Sequence, residues 1–320
     1  MFYFLNKHTI LQLVLSVAML VWAISTIFTQ MTLCPPDGYP FLYHSIYEFF
    51  VQHVAFSKVL AVVMMLLEML FLQRFFTINK FADNQTMMPI FFFLLFVNVG
   101  GFLKVFSPIN VTVLLTTFIL LYNTRDDNEK PVKNRVFVSG IIIGVGSLID
   151  SCALGLLLYL IFSLIANRFS SFKEVMILLA GILLCYIYVF TCFFLSDTLP
   201  ALHESVRHLT FFGIIAQAKS LRILDWACMG FMLLSTIYIM GFLKIHYDSR
   251  LIVLRKRYMT TLLLWLVLLI MEFFTPVDFH SGLILPCVSV VLFGSMLSDV
   301  KKRFIFHDVI IVAMLALLCL

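Results

Sequence analysis

The sequence predicts an all-α, polytopic integral membrane protein of about eleven helices. Three observations carry that prediction. Of the 320 residues, 62% are hydrophobic and only 12% charged, with a mean hydropathy of +1.06, whereas soluble domains are about a quarter charged. The apolar residues come in continuous runs rather than alternating, which excludes a transmembrane β-barrel. The Lys and Arg residues between those runs divide unevenly between the two sides, as helical membrane proteins require.

A helix crossing ~30 Å of hydrocarbon at 1.5 Å per residue needs ~20 apolar residues. By that measure the sequence forms one transmembrane domain over 1–320, with helices near 9–29, 56–73, 87–103, 108–122, 136–149, 152–166, 175–195, 224–243, 258–275, 281–298 and 305–320. The first follows Lys7 but has no small-residue cleavage site, so it is read as a retained span. The last either spans or lies at the interface. Segment 136–166 is too long for one crossing, at ~46 Å, and is read as a hairpin turning at Asp150-Ser151. With that hairpin and a cytoplasmic N-terminus, 17 Lys and Arg lie inside and 5 outside; as one helix the split is 10 to 12. The positive-inside rule selects the hairpin.

The net charge of +5 is a matter of topology and implies no nucleic-acid partner. The seven cysteines lie mostly in apolar runs, Cys34 alone being in an obvious loop, and no CxxC pair exists. The sequence calls for no disulfide framework, metal or cofactor. Gly140-x-x-x-Gly144-x-Gly146 offers a close-packing helix face. The cluster Arg250, Arg255, Lys256 and Arg257 anchors the inner leaflet.

Polar chemistry gathers in two outer segments. In 30–55, the stretch Cys34-Pro-Pro-Asp37-Gly-Tyr-Pro40 cannot be regular helix. Phe41 to Val54 forms an aromatic-rich helix along the interface, with His44 and Glu48 four apart on one face. That helix is either a connector or the wall of a lipid-facing cavity beneath Asp37. In 196–222 the sequence brings Asp197, His203, Glu204, Arg207, His208, Lys219 and Arg222 together. His203 and His208 are five apart, which fails the four-residue spacing of a helical zinc site. The segment is either a solvated face near anionic headgroups or a binder of a lipid phosphate through charge-assisted bonds. Within the spans, Glu68 is expected about a turn from the inner end of its helix with Arg74 in reach, and Glu272 near an outer end.

The order of these features resembles the C-type (GT-C) superfamily of integral membrane glycosyltransferases, and most nearly a family of compact bacterial membrane proteins of the same plan. The likeness covers roughly residues 1–200. It rests on the outer-loop acid Asp37 and the Pro40-Phe41-Leu42-Tyr43 helix, then the hairpin entered through Ser139-Gly140-Ile-Ile-Ile-Gly144-Val-Gly146-Ser147-Leu148. Arg168, Lys173-Glu174 and the long span to Asp197 complete it. The resemblance implies a polyprenyl-phosphate-linked sugar donor used at the outer face of a bacterial inner membrane. It assigns Asp37 as the base on the acceptor, with Glu48 the next acid available. For the donor phosphate it suggests Arg207, His208, Lys219 or Arg222, and His44 and His203 are further candidates for binding substrate. Two departures stand out. Many members carry paired acids in the first loop, and many place a lysine where this sequence has Asp150. The contrasting expectation is a non-catalytic subunit that packs a membrane-protein partner through its Phe-rich faces. A transporter of lipids or small molecules is the third, marked by a cavity open to the inner face.

Overall fold

The computed structural model describes residues 9–36, 39–79, 81, 86–99, 101, 104–124, 132–166, 172–197 and 252–272, with seven further positions between 230 and 292. Among the described residues nine α-helices and two short strands follow in the order α1 (Thr9–Gln30), β1 (Thr32–Leu33), α2 (Phe41–Gln52), α3 (Val54–Ile78), α4 (Met88–Val99), β2 (Val105–Phe106), α5 (Ile109–Thr124), α6 (Val132–Ser147), α7 (Leu156–Ala166), α8 (Phe172–Leu195) and α9 (Ile252–Glu272). A 3-10 turn, Ser151–Gly155, leads into α7. The molecule is a helical membrane protein: α1, α3 and α8 are each long and apolar enough to cross a bilayer. The expected helices at 224–243, 281–298 and 305–320 fall wholly or mostly outside the described residues.

Lipid is the solvent for these helices, and their polar groups behave accordingly. In α1 the hydroxyls of Ser25, Thr26 and Thr29 donate to carbonyls one turn back, at Trp22, Trp22 and Ser25. Hydroxyls that bond their own helix leave nothing unsatisfied toward hydrocarbon. In α3 the residues Ser57, Ala61, Met64, Glu68, Leu72 and Phe75 are buried, while Val59, Val63 and Leu70 are exposed. The spacing of three and four residues defines one inward stripe.

Named contacts fix the directions of the bundle helices. Gln12 accepts from the Met87 amide at 2.9 Å, and Asn98 donates to the Met19 carbonyl at 3.2 Å, so α1 and α4 run parallel. Lys58 reaches the Phe28 carbonyl at 2.7 Å, so the start of α3 lies beside the end of α1 and α3 runs the opposite way. Phe71 meets Phe118 with ring centroids 5.6 Å apart, and α5 descends alongside α3. Asn123 near the end of α5 bonds Ser139 of α6 at 3.2 Å, and α6 ascends.

The chain then turns back. Gly140 of α6 lies against Leu178 and Gly181 of α8, and Gly144 against Ile182 and Cys185. Both series rise together, so α6 and α8 are parallel, and the segment between them must descend. The break falls at Leu148–Asp150, where the Ile149 and Asp150 amides both donate to the Gly146 carbonyl. On α9, Met271 lies against Gly155 and Tyr258 against Phe81, so this helix also ascends. The end of the bundle where α1, α4, α6, α8 and α9 finish is called here the first-loop end.

At that end β1 and β2 form a two-stranded parallel ladder, Thr32 opposite Val105 and Leu33 opposite Phe106. The Cys34 amide continues it by donating to the Phe106 carbonyl at 3.0 Å. These four residues are the strand content of an otherwise helical set of described residues. Two loops leaving parallel helices side by side satisfy each other's backbone groups most simply as strands.

Candidate functional site

The first loop is anchored by an aromatic and polar knot. Cys34, Tyr39 and Tyr43 are buried together, with Val105, Tyr47 and Ile149 packed around them. The Tyr43 hydroxyl donates to the Cys34 carbonyl at 2.8 Å, and the Tyr39 and Tyr43 rings meet edge-on at 5.1 Å. Cys34, read from sequence as a loop residue, is therefore fully buried. Prolines 35, 36 and 40 bracket the segment, and the Tyr39 amide closes onto the Pro36 carbonyl at 3.1 Å.

Beneath the knot lies Asp150. Its side chain has no exposure at all. One carboxylate oxygen accepts the Cys152 amide at 3.0 Å, capping the 3-10 turn, and the other accepts the Thr112 hydroxyl at 2.5 Å. Burial raises the carboxyl's pKa, and the bonds from Thr112 and Cys152 act against that rise. Tyr39 feels both neighbours: burial foremost, then Cys34 and Asp150, push its phenol up, and a side-chain bond to Ser107 acts the other way. The first loop, the 104–108 segment and the α6–α7 turn are thus one packed unit.

Of the residues that the sequence nominated, two can be placed. His44 is half-buried and Glu48 exposed on α2. Among the described residues no hydrogen bond or ion pair joins them to each other or to a neighbour. Asp37 lies outside the described residues, which resume at Tyr39; His203, Arg207, His208, Lys219 and Arg222 lie outside them as well. The Ser147 and Tyr186 hydroxyls are 2.9 Å apart, and α8 continues past that level to Leu195. The chain leaves α8 at the first-loop end through Asp197, whose φ of 55° is a left-handed conformation that Asp tolerates better than most residues.

The expected pairing of Glu68 with Arg74 does not form. Helix α3 runs on to Ile78, so Glu68 is ten residues from its end, on the inward stripe and buried. Six residues advance a helix by about 240° beyond one full turn, which puts the exposed Arg74 on another face. Glu68 instead lines a narrow cleft between α3, α4 and the strands, whose walls include Met65, Phe93, Phe106 and Asn110. Sequence reasoning missed both Asp150 as a cap and this cleft. The Asp-Ser pair after an apolar helix was a signal for the first; nothing local signalled the second. No group of three His, Cys, Asp or Glu among the described residues is arranged to hold a metal.

No family model, curated protein sequence or solved structure matches this chain.

Proposed function

We propose that the protein is a membrane-embedded glycosyltransferase of the C-type plan, drawing its sugar from a polyprenyl phosphate at the first-loop end of the bundle. The observation that supports the reading is the parallel course of α6 and α8. It brings the start of 196–222 to the same end as the first loop. An acid and a cluster of cations emerging at one membrane face are what this transfer needs. In the reaction, the bond between the sugar's anomeric carbon and phosphate breaks as the acceptor oxygen bonds that carbon. Asp37 takes the acceptor's proton, with Glu48 the nearest other acid in the segment. His203, Arg207, His208, Lys219 and Arg222 hold the departing phosphate, whose charge grows in the transition state. His44 on the interfacial helix contacts the donor's headgroup. Positive-inside bias supports an outer-face site on a bacterial inner membrane with a cytoplasmic N-terminus.

The test is transfer of radiolabelled sugar from a panel of polyprenyl-phosphate hexoses in membranes carrying the protein. General-base help is worth ~10²–10⁴-fold, so Asp37→Asn should lower transfer by at least about a hundredfold at equal protein level. Full activity in that variant removes Asp37 from the mechanism.

A second reading is favoured by α8. Among the described residues this helix packs chiefly on α6, while Leu183, Leu184, Ile187, Phe190 and Phe194 face outward. A non-catalytic subunit would use that face for a membrane-protein partner. Stable co-purification of a partner that survives both Asp37→Asn and Arg207→Ala, with no transfer detected, selects it.

A further inference from the structure

Glu68 is an acid with no counter-charge among the described residues. Its side chain is 3% exposed, and among the described residues it makes no hydrogen bond or ion pair. It sits at the deep end of the cleft, and Asn110 is the single other polar side chain among the described lining residues. The half-exposed lining residues, Val105 and Asn110, are at the first-loop end. The last ten residues of α3, toward Ile78, contribute none of the wall. Ala61 lies on the same stripe two turns nearer the mouth, about 10 Å along the helix axis. Among the described residues the cleft leads to the carboxyl from the first-loop end.

The lining decides what it takes. Calcium needs six to eight oxygens and magnesium near-octahedral ones, and the described side chains of the wall offer one carboxyl and one amide. An organic cation needs room, and the cleft admits no more than a few water-sized particles. Among the described residues no Lys, Arg, His, Asp, Tyr or Cys from α3, α4, α5 or the strands lines it, so none of these elements supplies a competing titratable group. A water-borne proton meets every condition. We propose that Glu68 is a proton-binding site that exchanges with the aqueous phase at the first-loop end and is closed to the opposite one. The inference goes beyond the transferase reading and does not depend on it.

The test uses the full chain in liposomes sorted by orientation and treated with the lipophilic reagent N,N′-dicyclohexylcarbodiimide. A protonated carboxyl gives its proton to one carbodiimide nitrogen as its oxygen bonds the central carbon. The resulting O-acylisourea rearranges to a stable N-acylurea, which peptide mass spectrometry locates. The expected result is an adduct at Glu68 that is absent in Glu68→Gln. Its yield should fall about tenfold per pH unit once the pH on the first-loop side passes the midpoint, and should ignore pH on the other side. Ala61→Phe, which fills the shaft, should leave the adduct but abolish its response to first-loop pH; Asn110→Leu at the mouth should blunt the same response. The proposal is overturned if Glu68 is never modified or if its modification ignores first-loop pH. It also fails if the yield follows the opposite side, or is suppressed by sodium ions at constant pH.

Discussion

Asp150 shows how one side chain can set a topology. A helix that must reverse inside a membrane protein leaves amides without partners, and the Asp150 carboxylate takes the first of them at Cys152 while tying the turn to α5 through Thr112. Replacing it with Ala removes both bonds and should cost about 1–2 kcal/mol. Asn keeps an acceptor and a similar shape and should cost less. The unfolding midpoint in detergent should therefore rank wild type, then Asp150→Asn, then Asp150→Ala. The pH dependence follows from the raised pKa. The folded chain holds this proton more tightly than the unfolded chain does, so its contribution is complete below the ordinary value of 3.8. It is lost as pH rises through the raised value. Asp150→Asn should flatten that part of the stability profile. An unchanged slope would mean that the carboxyl does not titrate with folding.

At the scale of elements, the glycines of α6 separate two kinds of contact. A Cβ on Gly140 would lie 2.4 Å from the Leu178 backbone oxygen, which cannot step aside without moving α8. A Cβ on Gly146 would lie 2.3 Å from the Leu115 Cδ1, the far end of a side chain that can rotate. Ala in place of Gly adds about 0.5–1 kcal/mol of helix stability, and overpacking costs about 1–3 kcal/mol. Gly140→Ala should accordingly be destabilising and Gly146→Ala close to neutral by thermal unfolding. Equal losses at the two positions would show that α8 is not seated against Gly140.

This stripe also marks how far the sequence could be read. Small residues four apart announce a close approach whatever the partner is, and so the face was legible. That the partner is α8 was not, because spacing names no partner. Helix ends were the least legible feature. Hydropathy falls at Gln73-Arg74, yet α3 continues to Ile78, with the Gln73 side-chain amide donating to the Thr86 carbonyl at 2.8 Å. That extension moved Glu68 from a helix end to a buried, inward position. The cleft itself arises from three elements distant in sequence, and no local pattern encodes it.

For the molecule as a whole, charge bias and packing speak to the same question by independent routes. The sequence leads to an expected reversal near Asp150 because such a turn gives the more uneven division of Lys and Arg, 17 to 5 rather than 10 to 12. The matched ascent of Gly140 and Gly144 against Leu178 and Ile182 requires one as well. Asp37 and the cations of 196–222 were legible only as residue types in two polar segments, since composition gives a side of the membrane and never a distance. The transferase reading needs those segments to share one face. Cysteines placed singly at positions 37 and 207, in a chain whose native cysteines are replaced, can be tested in sealed vesicles of both orientations with a membrane-impermeant maleimide. The account predicts that both positions react in the same vesicle orientation; reaction in opposite orientations would contradict it.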